Sequence, residues 1–386
     1  MLFYFFSLVV CVVCLMDGGT FYDFIMWFIF LTFFAYITRE LEIWRIIKDV
    51  ERYIILYKGM RDKALLTTLN AFKEVAARSK SKLDIKTLED RVMSLVESVL
   101  IEPETMDPYG VVSKLKHIVV TGEETTTREV RRLIPSASEV EVENLKDLIA
   151  ASRSMNMVYK AVDHIYRLGR KFKSIWLLYQ LQALLPFLTE EMKSLESSLE
   201  AFTNGFPIGD SAGPLLAAKF IRKHATEIRI EEPAKETIAV EVPFKNRRII
   251  VVKAKGPSGV TGRLDDALEE LLVKRRLPAK LIITVDAALK FEGEKTGTIA
   301  QGVGVAIGGM GVEKFNIEKI ATELGIPLYA ILIKMSGTDA LAIMCKEVYE
   351  AVDKALLIVE RIIEEYSEEG DTIILIGVGN TVGIYP

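Results

Sequence analysis

The fold is indicated first by residues 248–263, which read RIIVVKAKGPSGVTGR. Four consecutive Ile and Val residues lie within 248–253, a glycine-rich loop follows at once, and 263–275 then shows helical periodicity. A short, continuous run of β-branched residues is typical of a strand that is buried on both faces. The segment therefore predicts a strand, a tight loop and a helix, in the order found in α/β domains.

The same alternation of strands and helices extends through 203–386. Strand-like runs occur at 227–230, 237–242, 281–285, 303–307, 328–333 and 373–378, and further helical patterns at 316–324 and 340–365. Strands separated by helices predict a sheet that is covered by helices. The predicted fold is a C-terminal α/β domain (203–386) with a mostly parallel or mixed sheet. It follows an all-α middle region (39–202) and an N-terminal membrane anchor (1–38).

Glycines and charged residues cluster where the predicted strands end. Because ligands of open α/β sheets bind beyond the carboxyl ends of the strands, we expect these loops to form one crevice. Backbone N–H groups at a helix N-terminus, with Lys or Arg nearby, favour an anion there. We therefore predict a site for a small anionic, phosphate-bearing ligand. Its candidate residues are Lys255, Gly256, Ser258, Gly259, Gly262, Arg263, Asp286, Glu292 and Lys295.

The glycine spacing leaves other interpretations open. Gly256, Gly259 and Gly262 form G-x-x-G-x-x-G, which is neither the dinucleotide-binding G-x-G-x-x-G nor a Walker A sequence. Each glycine is also consistent with a turn or with close packing between layers. The carboxylates at 286, 292 and 294 have the chemistry of acids and bases, but a solvated charged loop explains them as well. We therefore assign no catalytic residue and no cofactor.

Composition and charge exclude several classes of protein. The 386 residues include 49 Lys and Arg, 53 Asp and Glu, three His and three Cys, and half of the chain is apolar. A disordered chain, a fibrous repeat, a polytopic transporter and a disulfide-rich secreted module all differ from this composition. The net charge of −4 argues against a nucleic-acid partner. His117, His164 and His224 lack the spacing of metal ligands, so no metal site is predicted.

Residues 39–202 show helical periodicity and almost no strand alternation. The clearest apolar seam runs, at alternating spacings of four and three, through Val158, Val162, Ile165, Gly169, Phe172, Trp176 and Tyr179. Such a seam is typical of one face of a helix. We interpret this region as a helical domain that packs against itself, against a protein partner or against the membrane surface.

The first 38 residues contain no Lys or Arg. Within them, residues 21–37 contain only two non-apolar residues, Asp23 and Thr32, and reach the lower length limit for a membrane-spanning helix. Five basic residues follow between Arg39 and Lys58. Since basic residues accumulate on the cytoplasmic side, we predict that the span lies in the cell membrane and that residues 39–386 are cytoplasmic.

Residues 1–16 form a second apolar run with three interpretations. The run is a first span that makes a hairpin with 21–37, a signal peptide, or a segment upstream of a true start at Met16. A signal peptide lacks support because no positive charge precedes the run. We favour one anchor at 21–37, with the hairpin as the main alternative. Cys11 and Cys14 lie inside the run and are interpreted as small apolar residues, not as a redox pair.

Several longer motifs resemble a known family. They read NGFPIGD at 204–210, KAKGP at 253–257, DAALK at 286–290, EGEKTG at 292–297 and GVGVAIGG at 302–309, with DPYG at 107–110 and GVGNT at 377–381. They resemble an archaeal domain-of-unknown-function family, number 1512, over most of residues 40–386. The resemblance implies an archaeal, membrane-anchored protein with a cytoplasmic domain and no established activity. It therefore transfers no catalytic role.

Two functional hypotheses follow from these observations. In the first, a membrane-tethered α/β domain binds a small anionic ligand, and the helical region serves as a stalk or coupling element. In the second, the protein is a scaffold without catalytic activity that docks protein partners, for which the helical region offers a surface. Enzymatic activity is left open within the first hypothesis.

Overall fold

The structure is a computed structural model and describes residues 18–78, 84–99, 101, 103, 110–309 and 311–385. The predictions for residues 1–16, which concern Cys11, Cys14 and a start at Met16, lie outside the described residues. The same holds for residues 107–109 of the DPYG motif.

Five helices lie before residue 205 in the described part of the chain. They are α1 (Gly18–Arg78), α2 (Ile85–Glu97), α3 (Val111–Leu133), α4 (Glu139–Lys171) and α5 (Ile175–Asn204). The chain divides into two compact units, one formed by Met1–Leu56 with Ala161–Pro186 and the other by Tyr57–Lys160 with Phe187–Pro386. The boundaries between the two units fall within helices, so they separate compact parts of the chain and not types of secondary structure. The predicted boundary at 203, which follows the change from helix to sheet, stays a prediction.

Helix α1 is continuous from Gly18 to Arg78. Gly59 does not interrupt it, and the space next to this residue is open. In the first part of the helix the large apolar side chains are exposed, for example Trp27 (63%), Phe30 (56%) and Phe33 (61%). Among the described residues, this is the one helix that is long and apolar enough to cross a membrane. Its composition and length are those of an anchor or a signal segment.

A turn interrupts the apolar seam that we predicted to follow one helix. Helix α4 ends at Lys171 and α5 begins at Ile175, so the seam continues across a reversal of the chain. The reversal is close because Gly169 lies against Leu178, whose Cδ2 would be 2.6 Å from a Cβ at 169. The prediction that a single helix carries this seam was therefore wrong. A short turn between two amphipathic helices leaves the spacing of four and three intact.

The C-terminal region contains a seven-stranded mixed sheet. Its strands are β1 (Ile230–Ala234), β2 (Thr237–Phe244), β3 (Arg247–Ala254), β4 (Leu281–Leu289), β5 (Thr298–Val303), β6 (Leu328–Met335) and β7 (Thr372–Gly377). The spatial order is β1-β2-β3-β7-β4-β6-β5. The four central strands β3, β7, β4 and β6 are parallel, while β1, β2 and β5 are antiparallel to their neighbours. The predicted mixed sheet with a parallel core is confirmed.

Helices cover both faces of this sheet. Helices α6 (Ala212–His224) and α10 (Lys346–Tyr366) lie on one face, and α7 (Leu264–Leu268) and α8 (Val312–Leu324) lie on the other, while α9 (Gly337–Leu341) is a short connection. Alternate residues of β3 enter opposite cores: Ile249 and Val251 pack under α6 and α10, and Ile250 and Val252 pack under α7 and α8. Burial on both faces explains the continuous Ile and Val run.

Strand β5 lies earlier in the chain than we predicted. The Val and Ile run at 303–307 predicted a strand, but the strand is Thr298–Val303, paired antiparallel with β6. Residues 304–309 instead form a loop that is held by β4: Thr284 Oγ1 accepts from Ala306 N at 3.0 Å, and Asp286 Oδ2 accepts from Gly308 N at 3.1 Å. The apolar residues of the loop are needed because Val305 packs into the core.

The start of α6 lies directly on the backbone of the sheet. A Cβ at Gly213 would be 2.3 Å from the carbonyl oxygens of both Val285 and Val378. Only glycine lets the helix approach so closely. This approach brings the preceding turn, Gly209–Ser211, to the carboxyl ends of β4 and β7.

Candidate functional site

A cavity of about 290 Å³ lies at the carboxyl ends of β4 and β7. Its walls come from β4 at Asp286, from Gly379 after β7, from Asp210 before α6 and from the loop before α8 at Gly308. All of these residues belong to the second compact unit. The position agrees with the general location of ligand sites in open α/β sheets.

Asp286 is held at the floor of the cavity by the backbone. Its Oδ1 accepts from Ala287 N at 2.7 Å and its Oδ2 from Gly308 N at 3.1 Å, and only 5% of the residue is exposed. Burial, followed by the charge of the nearby Asp210, raises the pKa of Asp286 to about 7, although the two N–H donors act to lower it. The carboxyl group therefore exchanges its proton near neutral pH.

Asp210 is the second carboxyl group of the cavity. It lies in the turn before α6, and its Oδ2 accepts from Asn380 N at 2.8 Å. Burial raises the pKa of this carboxyl group as well. Two neighbouring carboxyl groups in one desolvated site disfavour the state in which both are ionised.

Two cations also line the cavity. Lys116 extends from α3, and its Nζ donates to Asp265 at 2.7 Å and to Asp266 at 2.5 Å. Burial acts to lower the pKa of Lys116, but the hydrogen bonds to these carboxylates outweigh it and raise the pKa. Arg263, just before α7, is paired with Glu123 of α3. Both cations are thus charged and fixed in position.

The start of α8 completes the wall. Gly311 caps this helix with a φ of 78°, and Val312 and Glu313 of its first turn also line the cavity. The first N–H groups of a helix have no partner within the helix and carry partial positive charge. Burial, followed by the charge of Asp265, raises the pKa of Glu313 to about 7.

Metal ligands are not gathered here. Within the residues that the structure describes, no three or more His, Cys, Asp or Glu side chains are arranged to hold a metal ion. The cavity instead combines carboxyl groups whose pKa is raised with paired cations and a helix N-terminus.

Comparison with known families places the chain. Residues 24–205 match the family described as "Protein of unknown function (DUF1512) N-terminal domain", and residues 208–385 match "Domain of unknown function (DUF1512) C-terminal". The chain belongs to the DUF1512 family. The resemblance that the motifs indicated is therefore confirmed at the level of the family. No curated protein matches the chain.

The structure brings two of the nine predicted ligand residues of this DUF1512 protein into the cavity, namely Arg263 and Asp286. Gly259 and Gly262 line, with Arg263, a separate space of about 850 Å³ that is bordered by α3 and α4. Gly259 lies against α4, because a Cβ there would be 1.6 Å from Asp147 Oδ2. Packing between layers, the alternative explanation from the sequence, accounts for this glycine.

The other predicted ligand residues lie outside the cavity wall. Lys255 Nζ pairs with Glu232 at 2.7 Å, and Gly256 lies against the carbonyl oxygen of Ile384. Ser258 is buried and its carbonyl oxygen accepts from Thr381 Oγ1 at 2.9 Å. Glu292 and Lys295 are exposed in the connection between β4 and β5.

Sequence reasoning missed Asp210, Lys116 and Glu313. Asp210 ends the NGFPIGD motif, so a signal existed, but no strand precedes it and nothing local indicated a site. Lys116 comes from a helix about 150 residues away from its partner Asp265. Such a long-range contact has no signature in a single sequence.

We predict that Asp286 makes folding depend on pH. Its folded pKa of about 7 lies above the unfolded value of about 4, so between these values the folded state binds more protons. The free energy of unfolding therefore falls as pH rises from about 4 to about 7. Asp286→Asn removes this contribution, which is at most ~4 kcal/mol.

The measurement is chemical denaturation of the full chain in detergent at about pH 5 and about pH 8, between which the contribution changes. Asp286→Asn should lose less stability than the wild type over this interval. Asp353→Asn, an exposed carboxylate paired with Lys219, is the matched control and should follow the wild type. Equal pH dependence of Asp286→Asn and wild type would contradict the burial of an ionisable group at this position.

Proposed function

We propose that this DUF1512 protein is a membrane-tethered binding protein whose C-terminal domain holds a small anionic, phosphate-bearing ligand in the cavity at β4 and β7. The observation that supports this most is the joint presence of Lys116, Arg263 and the first turn of α8 in one cavity wall. A helix N-terminus together with fixed cations is a common arrangement for binding anions.

The ion pairs of the two cations support this assignment. Lys116 and Arg263 are held by Asp265, Asp266 and Glu123, so neither side chain needs to be ordered when a ligand arrives. Preorganised groups bind at a lower entropic cost than mobile ones. Because each cation is paired with a carboxylate, neither is an uncompensated charge before a ligand binds.

The cavity size restricts the ligand. A volume of about 290 Å³ is at the lower end of ligand pockets, which typically measure ~300–1,000 Å³. A small metabolite or a single phosphorylated group fits this space better than a dinucleotide. A scaffold that only docks proteins does not require a cavity that is lined by these charges.

Ligand binding is tested by thermal unfolding of the full chain in detergent with inorganic phosphate, a nucleoside monophosphate and a short dicarboxylate. A ligand at a hundredfold excess over its dissociation constant should stabilise the fold by ~2.7 kcal/mol. Lys116→Gln should weaken this stabilisation, because the cavity loses a charge. The matched control is Lys114→Gln, an exposed position on the same helix that does not line the cavity. Absence of a shift with every anion would favour the scaffold.

The tether is the second part of the proposal. We propose that α1 crosses the cell membrane through residues 21–37 and that residues 39–386 lie in the cytoplasm. Exposed aromatic and aliphatic side chains around the start of α1 support a lipid environment, since water would oppose such a surface. The basic residues that begin at Arg39 support the orientation.

The orientation predicts that protease added to intact cells spares a tag at the C-terminus. Permeabilised cells are the control and should lose the tag. Digestion of the tag on intact cells would reverse the orientation. Release of the full-length chain from membranes by carbonate washing would contradict the proposed membrane span.

A further inference from the structure

We infer that Asp210 and Asp286 form a catalytic acid–base pair that hydrolyses an amide bond of a small anionic substrate. The inference rests on the proposed function, because it places chemistry in the same cavity. It adds a reaction and a substrate class to the binding site of the proposed function.

The geometry brings both carboxyl groups to one cavity from separate elements. Asp286 comes from the end of β4, and Asp210 comes from the turn before α6. The close approach of Gly213 to the backbone of both central strands fixes this turn over the sheet. A Cβ at Gly379 would lie 2.1 Å from the carbonyl oxygen of Asp210, so the chain after β7 restrains the turn from a second side.

Backbone N–H donors fix the direction of each carboxyl group. Asp286 accepts two such hydrogen bonds, from Ala287 and Gly308, and Asp210 accepts one from Asn380. A catalytic group must be held in a productive position by its surroundings, and backbone donors provide this without further side chains. No Lys or Arg hydrogen-bonds to either carboxyl group among the described contacts, so neither is locked in its ionised form.

In this proposal the two carboxyl groups, which line one cavity, hold a single proton near neutral pH. The repulsion between two negative charges opposes ionisation of the second group. The raised pKa of Asp286, to about 7, agrees with this arrangement. At neutral pH the pair therefore offers one base and one acid, which is the combination that hydrolysis requires.

The reaction balances with water as the co-reactant. The ionised carboxylate takes a proton from water while the water oxygen bonds to the amide carbon. The C=O electron pair moves onto its oxygen, which takes the proton of the other carboxyl group. The C–N bond then breaks, and its electron pair goes to nitrogen, which takes the proton that came from water. The hydroxyl of the intermediate returns a proton as C=O forms again, so the pair regains its single proton.

An amide is a substrate class that needs both groups. Its amine leaves only when it is protonated, so an acid must act after the base has activated water. The anionic group of the substrate lies toward Lys116, Arg263 and the start of α8, as in the proposed function. An N-acyl amino acid or a short peptide with a carboxylate has these features and a suitable size.

The test uses the purified full chain in detergent with a set of N-acetyl amino acids and dipeptides in water enriched in ¹⁸O. Mass spectrometry of the products should show cleavage, with ¹⁸O in the new carboxylate. Asp210→Asn and Asp286→Asn should each lower the rate by at least ~100-fold. Asp353→Asn, the exposed control, should retain the wild-type rate. The wild-type rate should fall as pH rises above neutrality, because the pair then loses its proton.

The outcomes separate this inference from the proposed function. Anion-dependent thermal stabilisation without any cleavage would overturn the hydrolysis and leave the binding site in place. Neither stabilisation nor cleavage would overturn both. Cleavage that survives both Asp→Asn substitutions would overturn the role of the pair.

A separate observation in the first compact unit carries a second inference. The geometry points to a membrane contact of the α4–α5 turn, residues 170–176, with anionic lipid headgroups on the cytoplasmic side. This inference rests on the proposed span at 21–37 and is independent of the cavity.

Helix α5 runs parallel to α1 within this unit. Tyr179 Oη donates to Glu42, and Gln182 Nε2 donates to Asp49 Oδ2 at 2.7 Å. Trp176 precedes Tyr179 by three residues, which moves it about 4.5 Å along the helix toward the span. Since Glu42 is only five residues beyond the apolar run 21–37, Trp176 lies at the level where the span ends.

The turn has the composition of a membrane interface. Phe172 is 68% exposed and Trp176 is 71% exposed. Between Asp163 and Glu190 the chain contains no acidic residue but contains the basic residues Arg167, Arg170, Lys171 and Lys173. Aromatic rings favour the headgroup region, and basic side chains attract anionic lipid. Because the turn is level with the end of the span, the bilayer is the surface that these exposed side chains meet.

Tryptophan fluorescence tests the contact, because the chain has only Trp27, Trp44 and Trp176. The full chain is placed in vesicles of phosphatidylcholine and phosphatidylglycerol that carry spin-labelled lipid quenchers at defined depths. With Trp27→Phe and Trp44→Phe, the remaining Trp176 should be quenched best by the shallow label. An Ile55→Trp reporter, with all three native tryptophans replaced by Phe, is the control for an exposed site on α1 far from the span and should stay unquenched.

A variant that keeps Trp27 as its single tryptophan distinguishes the membrane contact of the α4–α5 turn from the membrane span at 21–37. Deep quenching of Trp27 without quenching of Trp176 would overturn the contact of the turn and leave the span. Lack of quenching at both positions would overturn the tether as well. Lys171→Gln with Lys173→Gln should reduce the quenching of Trp176 in these vesicles, because the attraction to anionic lipid is then weaker.

Discussion

The contact between Gly213 and the backbone carbonyl groups of Val285 and Val378 is the constraint on which the candidate site depends. It sets the helix α6 directly over the two central strands and leaves no room for a side chain. As a consequence, the turn that carries Asp210 reaches the carboxyl end of β4, where Asp286 lies. Without this approach the two carboxyl groups would be separated by a layer of side chains, and the cavity would have a different floor.

The α/β region was predictable because its strands are buried on both faces. The run at 248–253 contains consecutive Ile and Val residues, which enter the cores on opposite faces of the sheet. This local pattern therefore indicates that β3 lies in the interior of the sheet. Strand β5 was less predictable, since it is an edge strand with exposed residues and a weak pattern. The stronger apolar pattern at 303–307 belongs to a loop: Val305 packs in the core, while the backbone N–H of the next residue, Ala306, donates to Thr284 of β4.

The candidate site was predictable only where it follows a strand. Asp286 and Arg263 were found because strand ends and glycine-rich loops mark the sheet edge. Asp210 and Lys116 could not be found in this way, because they reach the cavity from segments that precede the sheet. The glycines of the 255–263 loop are also explained by packing: Asp147 of α4 lies where a Cβ of residue 259 would be. A glycine that admits a ligand and a glycine that admits a neighbouring helix have the same sequence pattern.

The charges of the cavity form two groups that differ in how they are compensated. Lys116 is paired with Asp265, which is almost fully buried, and with Asp266, while Arg263 is paired with Glu123. Asp210 and Asp286 have only backbone donors, so protons supply the compensation that cations supply elsewhere. Burial acts to lower the pKa of Lys116, but its hydrogen bonds to carboxylates raise it. Burial raises the pKa of Asp286 to about 7, so this carboxyl group changes its charge near neutrality. Glu313 at the start of α8 also has a pKa of about 7, so the net charge of the cavity depends on pH around neutrality.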